Sequence, residues 1–181
     1  AFTTVQKARI EKTLFFFRDR LRFMEQLTKE IYAAISKANK AGATPCFRLN
    51  LTSDLPWERI RNQFGNSMMR QFPLVQFYDY TASAARMVDF VNHRDFPPNY
   101  HLTFSRKEKP NGALIVGLLR SGGNVACVWR GPFPETNYGA PVISGDDDDL
   151  RFLDPKGVFI ALTAKGKAKK DTTGFVMEGG E

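Results

Sequence analysis

Three short segments alternate apolar and polar residues with a period of two, and a helix-length stretch separates each from the next. In 46–52, Phe47, Leu49 and Leu51 fall on one side and Arg48, Asn50 and Thr52 on the other. Segment 75–81 sets Val75 and Phe77 against Gln76, Tyr78 and Tyr80. Segment 100–106 sets Tyr100, Leu102 and Phe104 against His101, Thr103 and Ser105. With helices expected over 56–72 and 82–92, the order strand, helix, strand, helix, strand is that of βαβ units and a parallel sheet. Parallel strands covered on both faces read as near-continuous apolar runs. These keep a polar second face. The expected fold is therefore α/β, a partly open, half-barrel-like βα sheet with outer helices and a concave side left to a ligand or to water.

The flanks add a long N-terminal helix and a C-terminal β-rich portion. From Val5 the apolar residues recur as Ile10, Leu14, Phe17, Leu21, Met24, Leu27, Ile31 and Ile35, the stripe of a core-packing amphipathic helix, unbroken or as two helices with a bend. Further on, 113–119 and 124–130 read as two strands of a hairpin, 132–145 as a loop and 158–164 as a strand. The whole reads as a single domain, 1–181: a helical segment 1–42, βαβαβ units 43–106, a β-rich portion 107–170 and a tail 171–181 with little to fold.

Ligands of such sheets sit at the carboxyl ends of the strands. That rule and the alternation nominate Arg48, Asn50, Asp54, Trp57, Tyr78, Tyr80, His101, Ser105 and Arg106 as ligand-binding residues. Arg48, Asn50, Tyr80, His101 and Ser105 are expected to share one concave face. Ser53, Asp54 and Ser83 are equally read as turn and cap residues. The formal net charge of +7 lies mostly in residues 1–48, and a lysine cluster, Lys165, Lys167, Lys169 and Lys170, follows an aspartate run. The lysines are candidate nucleic-acid or phosphate contacts, or a solubilising face. Asp146, Asp149 and Asp154 are candidate ligands for Mg²⁺, and the same run reads as a solvated loop. Two cysteines and two histidines exclude a disulfide framework and a histidine-rich metal site. No phosphate loop, GxGxxG, HExxH or GxSxG occurs. No apolar run is long enough to span a membrane, and no secretory signal is expected.

Val5-Gln6-Lys7-Ala8-Arg9-Ile10 with Lys12-Thr13, Arg48-Leu49-Asn50 with Ser53-Asp54 and Pro56-Trp57-Glu58, Phe77-Tyr78-Asp79-Tyr80-Thr81, Leu102-Thr103-Phe104-Ser105 and the stretch 141–166 resemble a phage and prophage family usually labelled gene-product-eighty-eight-like. The resemblance covers nearly the whole chain and implies the cytoplasm of an infected or lysogenic host as its location. Members of that family begin earlier, with a cysteine-containing segment that implies an iron–sulfur or other metal site. This chain starts after it, so no iron–sulfur cluster is expected here. More faintly, the resemblance extends to the half-barrel of radical enzymes that use S-adenosylmethionine, a fold-level analogy that transfers no reaction. The favoured reading is a phage-encoded binding protein contacting nucleic acid or a nucleotide. The alternative is an enzyme, or the remnant of one, with a small-molecule site in the half-barrel. No nucleophile and base pair can be named, so catalysis is left open.

Overall fold

The computed structural model describes residues 2–179. Two helices, α1 (Phe2–Arg18) and α2 (Arg20–Lys40), precede β1 (Cys46–Phe47), α3 (Met68–Gln71), β2 (Gln76–Thr81), α4 (Ala84–Val91), β3 (Tyr100–Ser105), α5 (Gly112–Arg120) and β4 (Asn124–Arg130). The chain continues through β5 (Thr136–Asn137), β6 (Ala140–Ser144), a 3-10 turn at Arg151–Leu153, β7 (Phe159–Thr163), a second 3-10 turn at Gly166–Lys170 and β8 (Val176–Glu178). The strands form one sheet in the order β1-β2-β3-β4-β7-β6-β5, with β8 also paired to β4. Every pairing is parallel except the β5–β6 hairpin. The sheet does not close, as the half-barrel reading requires.

The two faces of this sheet differ in what covers them. Phe47, Phe77, Leu102, Phe104, Val125, Cys127, Trp129 and Phe159 share one cluster with Met24 and Ile31 of α2, Met68 and Met69 of α3, Met87 of α4 and Ile115, Leu118 and Leu119 of α5. The opposite face carries a small cluster of Ala126, Val158 and Ile160, against which Tyr80, Ile143 and Leu162 pack. No helical residue belongs to it. Strands β1 to β4 are neighbours in chain order, and right-handed crossovers between them place every connecting helix on the same side. The step from β6 back to β7 runs the other way across the sheet. The same handedness therefore sends its connection, 145–158, over the face that the helices leave bare.

Several sequence expectations are corrected here. Residues 113–119 are helix α5, not a strand: Asn111 caps it by accepting from Leu114 N at 3.2 Å. A continuous apolar run of this length has no period that separates helix from strand. Only α3 forms within 56–72, because Asn62 accepts from both Phe64 N and Asn66 N and Gly65 takes a positive φ of 77°. The stretch 132–145 contains β5 and β6 rather than a loop alone. The tail is not without structure, since β8 pairs with β4; residues 180–181 lie outside the described ones. The N-terminal segment, by contrast, forms the two helices with a bend that its spacing allowed, broken where Asp19 caps α2 by accepting from Arg22 N. Its stripe packs only in part: Met24 and Ile31 are buried, but Val5, Ile10, Leu14, Phe17 and Leu21 are exposed. In the last turns of α1, Phe16, not Phe17, reaches the core, edge-on to Phe23 and Trp57.

Glycine geometry gives a test of the crossover. Gly157, which leads into β7, has φ +75°, and a Cβ there would sit 2.7 Å from the Leu119 carbonyl oxygen; Gly65 has φ +77° and no neighbour within 4 Å. Gly65→Ala should cost about 1 kcal/mol through the left-handed backbone alone. Gly157→Ala adds a backbone clash and should cost at least about 2 kcal/mol in urea denaturation.

Candidate functional site

All the parallel strands deliver their carboxyl ends to one edge of the sheet, and there the β1–β2 side builds a compact polar site. Arg48, one residue past β1, lies with its guanidinium 4.5 Å over the Tyr80 ring of β2. Its Nη1 donates to Asp149 Oδ2 at 2.6 Å, and the Tyr80 hydroxyl donates to Asp149 Oδ1 at 2.9 Å. Burial, and then the Asp149 carboxylate, push the Tyr80 hydroxyl above its ordinary pKa, so it stays a donor at neutral pH. Asp149 arrives from the 145–158 crossover, which continues inward over the concave face. Phe152 packs on Tyr78, with ring centroids 5.4 Å apart.

Arg151, only 2% exposed, donates through Nη2 to Asp148, and its Nη1 lies 3.3 Å from Asp154 Oδ2. Among the described residues, Arg151 Nε and Nη1 find no hydrogen-bond partner, nor do Asp154 Oδ2, Thr103 Oγ1 and His101 Nε2. Burial, helped by Lys156 and Arg151, pushes His101 down to about 4, so it is a neutral imidazole edge-on to Phe90. Tyr78, Tyr80, His101 and Thr103 share one face of the sheet by strand register. Ser105 follows on that face at the end of β3 and is half-buried.

The structure leaves other nominated residues outside this group. Asn50 is turned to the helix side and organises a loop: its Oδ1 accepts from Ser53 Oγ, Leu55 N and Trp57 Nε1, and its backbone N donates to Asp79 at 2.7 Å. This loop pulls the chain out of the sheet after Phe47, which shortens β1 and leaves Leu51 73% exposed, against the alternation. Trp57 is buried in the core. Asp54 binds Arg86, Thr81 and Ala82 N. Arg106 donates to the carbonyls of Gly174 and Phe175 and so holds the tail.

The aspartates do not converge either. Asp146 is taken by Thr163 and Lys165, which hold it down at about 2; Asp149 by Arg48 and Tyr80; and Asp154, raised by burial, by Arg151. Among the described residues no group of three or more His, Cys, Asp and Glu side chains is placed to hold a metal ion. Of the lysines, Lys165 pairs with Asp146, while Lys167, Lys169 and Lys170 project from the exposed turn.

Behind the site lies a buried ionic network that no sequence pattern announced. Arg86 of α4 binds Glu58 through Nε at 3.0 Å and Nη2 at 2.8 Å and also reaches Asp54. Tyr100 joins it to Asp79, donating to Oδ2 at 2.8 Å. Burial, outweighing the bonds from Asn50 and Tyr100, pushes Asp79 up to about 6.

The segments that build this corner are among those that carry the family resemblance, and the profile of the gene product 88 family matches residues 1–179. The chain belongs to the gene product 88 family. No curated protein and no solved structure matches the chain. For this phage-type family the geometry above therefore stands on its own residues. Among those described, no helix is long and apolar enough to cross a membrane.

Asp79 and His101 should act on stability with opposite sign. Asp79 titrates near 6 when folded against 3.8 otherwise, so its contribution grows as pH falls through that window. His101 titrates near 4 against 6.5, so its contribution is lost as pH falls. In urea denaturation between about pH 4 and 6, the wild-type profile should be flatter than either variant's. Asp79→Asn should leave a stability that drops on acidification, and His101→Gln one that rises.

Proposed function

We propose that this gene product 88 protein is a small-molecule-binding half-barrel of enzyme type, with its ligand at the carboxyl mouth beside Arg48, Tyr80 and Ser105. The observation that carries this reading is the concave face that no helix covers. Helices cover one side of the sheet, and the other presents polar strand residues beneath a single crossover. Sheets of this kind place ligands at the carboxyl ends of their strands. The half-barrel reading resembles, by analogy only, the fold of enzymes that use S-adenosylmethionine, and that analogy makes the compound a reasoned probe without transferring a reaction. The test is a thermal-shift titration with S-adenosylmethionine, ATP and a panel of small polar acids. A ligand at one hundred times its Kd stabilises by about 2.7 kcal/mol. Ser105→Trp, which fills the mouth, should abolish the shift, whereas hits that persist in that variant would put the site elsewhere.

A second reading, contact with nucleic acid, is supported by Lys167, Lys169 and Lys170, three exposed lysines on one turn at the same edge of the sheet. It has weaker geometric support, because Trp57 and Tyr78 are buried and cannot stack on bases. If it holds, single-stranded oligonucleotide affinity should fall steeply with salt, and each Lys→Ala change should reduce the log–log slope by about 0.7. Absence of binding at low salt would remove this reading.

A further inference from the structure

We infer that Arg48 and Tyr80 are the recognition pair for an anionic group, a carboxylate or a phosphate, on the ligand of the mouth, and that Asp149 occupies their site in that group's place. The inference rests on reading the mouth as a small-molecule site. A guanidinium N–H and a phenolic O–H each donate to a different oxygen of one carboxylate, at 2.6 and 2.9 Å. Tyr80 stands on β2 and Arg48 one residue past β1, and the guanidinium–ring contact at 4.5 Å joins the two independently of the crossover. The acceptor is the movable partner: Asp149 is 49% exposed, against 24% for Arg48, and belongs to a run of four aspartates that repel one another. Arg48 Nε makes no hydrogen bond. An anion with a third oxygen would find there a donor that Asp149 leaves idle.

The crossover is seated at a cost that displacement would relieve. Arg151 is 2% exposed with Nε lacking a hydrogen bond, and its Nη1 meets Asp154 Oδ2 only as an ion pair at 3.3 Å, outside hydrogen-bond geometry. Beneath, Thr103 Oγ1 and His101 Nε2 are also without partners. At its start the segment is firmly held, because Asp146 accepts from Thr163 N, Thr163 Oγ1 and Lys165. A ligand anion that replaces Asp149 on Arg48 would therefore lift residues 147–153 while leaving the Asp146 anchor in place. Asp149 thus acts as an intramolecular competitor, and the apparent affinity of any anion is lowered by the fraction of time it is seated.

The test titrates inorganic phosphate and, separately, acetate into the wild type, Asp149→Asn, Asp149→Ala and Arg48→Gln, following the backbone amide signals of residues 47–49 and 79–81, present in all four proteins, by NMR and amide hydrogen exchange over 146–153. Removing the Asp149 charge should tighten anion binding about tenfold. Saturating anion should speed exchange across 147–153 in the wild type, and Arg48→Gln should lose both effects. The stronger of the two anions identifies the head group. Equal affinity in wild type and both Asp149 variants, with binding still lost in Arg48→Gln, overturns the competitor and leaves the small-molecule site standing. Anion binding that persists in Arg48→Gln, or no binding to any of the four proteins, overturns the recognition pair itself. In that last case the thermal-shift hits and their loss in Ser105→Trp decide separately whether the mouth is a site at all.

Discussion

The handedness of parallel crossovers governs most of what is particular to this molecule. A connection between parallel neighbours of one sheet is right-handed in nearly every known case. Here β1, β2, β3 and β4 advance in one direction, so their connecting segments pile onto one face and bury Phe77, Leu102, Val125 and Trp129 beneath them. Stepping past β7 to β6 continues in that direction, and Phe133 and Tyr138 on the way pack against Trp129 and Phe159 on the same face. Besides the later step from β7 across β4 to β8, the return from β6 to β7 reverses that direction. It forces a segment rich in carboxylates across a face that no helix protects, and that segment brings Asp149, Arg151 and Phe152 onto the strands. The contents of the concave side are thus a consequence of strand order as much as of local sequence.

The corner that presents Arg48 depends on a buried cation. Arg86 is held in bidentate fashion by Glu58 and also by Asp54, both from the irregular stretch that stands where the sequence suggested a helix. Buried ion pairs contribute little net stability after desolvation, yet removing one partner is costly because the other is left uncompensated. The network is better understood as fixing position: it ties 54–58 to α4 and, through Tyr100 and Asp79, to Asn50, three residues past β1. Asn50 then turns the chain out of the sheet immediately after Arg48 has been delivered to the mouth.

What could be read from the sequence was the part governed by local period. Strands β2, β3 and β7 and helix α4 lie where alternation and capping residues put them, because each is covered on a single face or bounded by strong turn chemistry. Helix α5 was illegible, since Ala113, Leu114, Ile115 and Val116 give no period and β-branched residues tip the reading toward a strand. The exposed Ile10, Leu14 and Phe17 show a second limit: a stripe establishes an amphipathic helix, but only a tertiary partner decides whether it is buried. For the site, Arg48, Tyr80 and His101 were correctly set on one face by alternation. Asn50 was not, because its side-chain bonds override the period, and β8 was missed because three residues need only the free half-edge of β4 to pair. Nothing local marks Asp149 among four aspartates or Arg86 within an amphipathic helix; both roles exist only through contacts far apart in sequence.

The two flanks of the mouth are closed by different physics, and this bears on how a ligand would enter. On the β3–β4 side, Arg106 and Arg130 donate to main-chain carbonyls of Gly174, Phe175, Lys169 and Asp171, and Gly179 N bonds back to the Arg130 carbonyl. Such bonds tie down backbone whose carbonyls have no equivalent substitute in a small ligand, and β8 adds a strand ladder to them. On the β1–β2 side the closure is one side-chain carboxylate on Arg48 and Tyr80, a contact that any carboxylate or phosphate can reproduce. Exchange of one anion for another changes little in net charge or in donor count, whereas opening the tail side would strand several acceptors. On the proposed reading, a ligand carrying an anionic group therefore enters over β1 and β2, where it takes up the contacts that Asp149 makes with Arg48 and Tyr80.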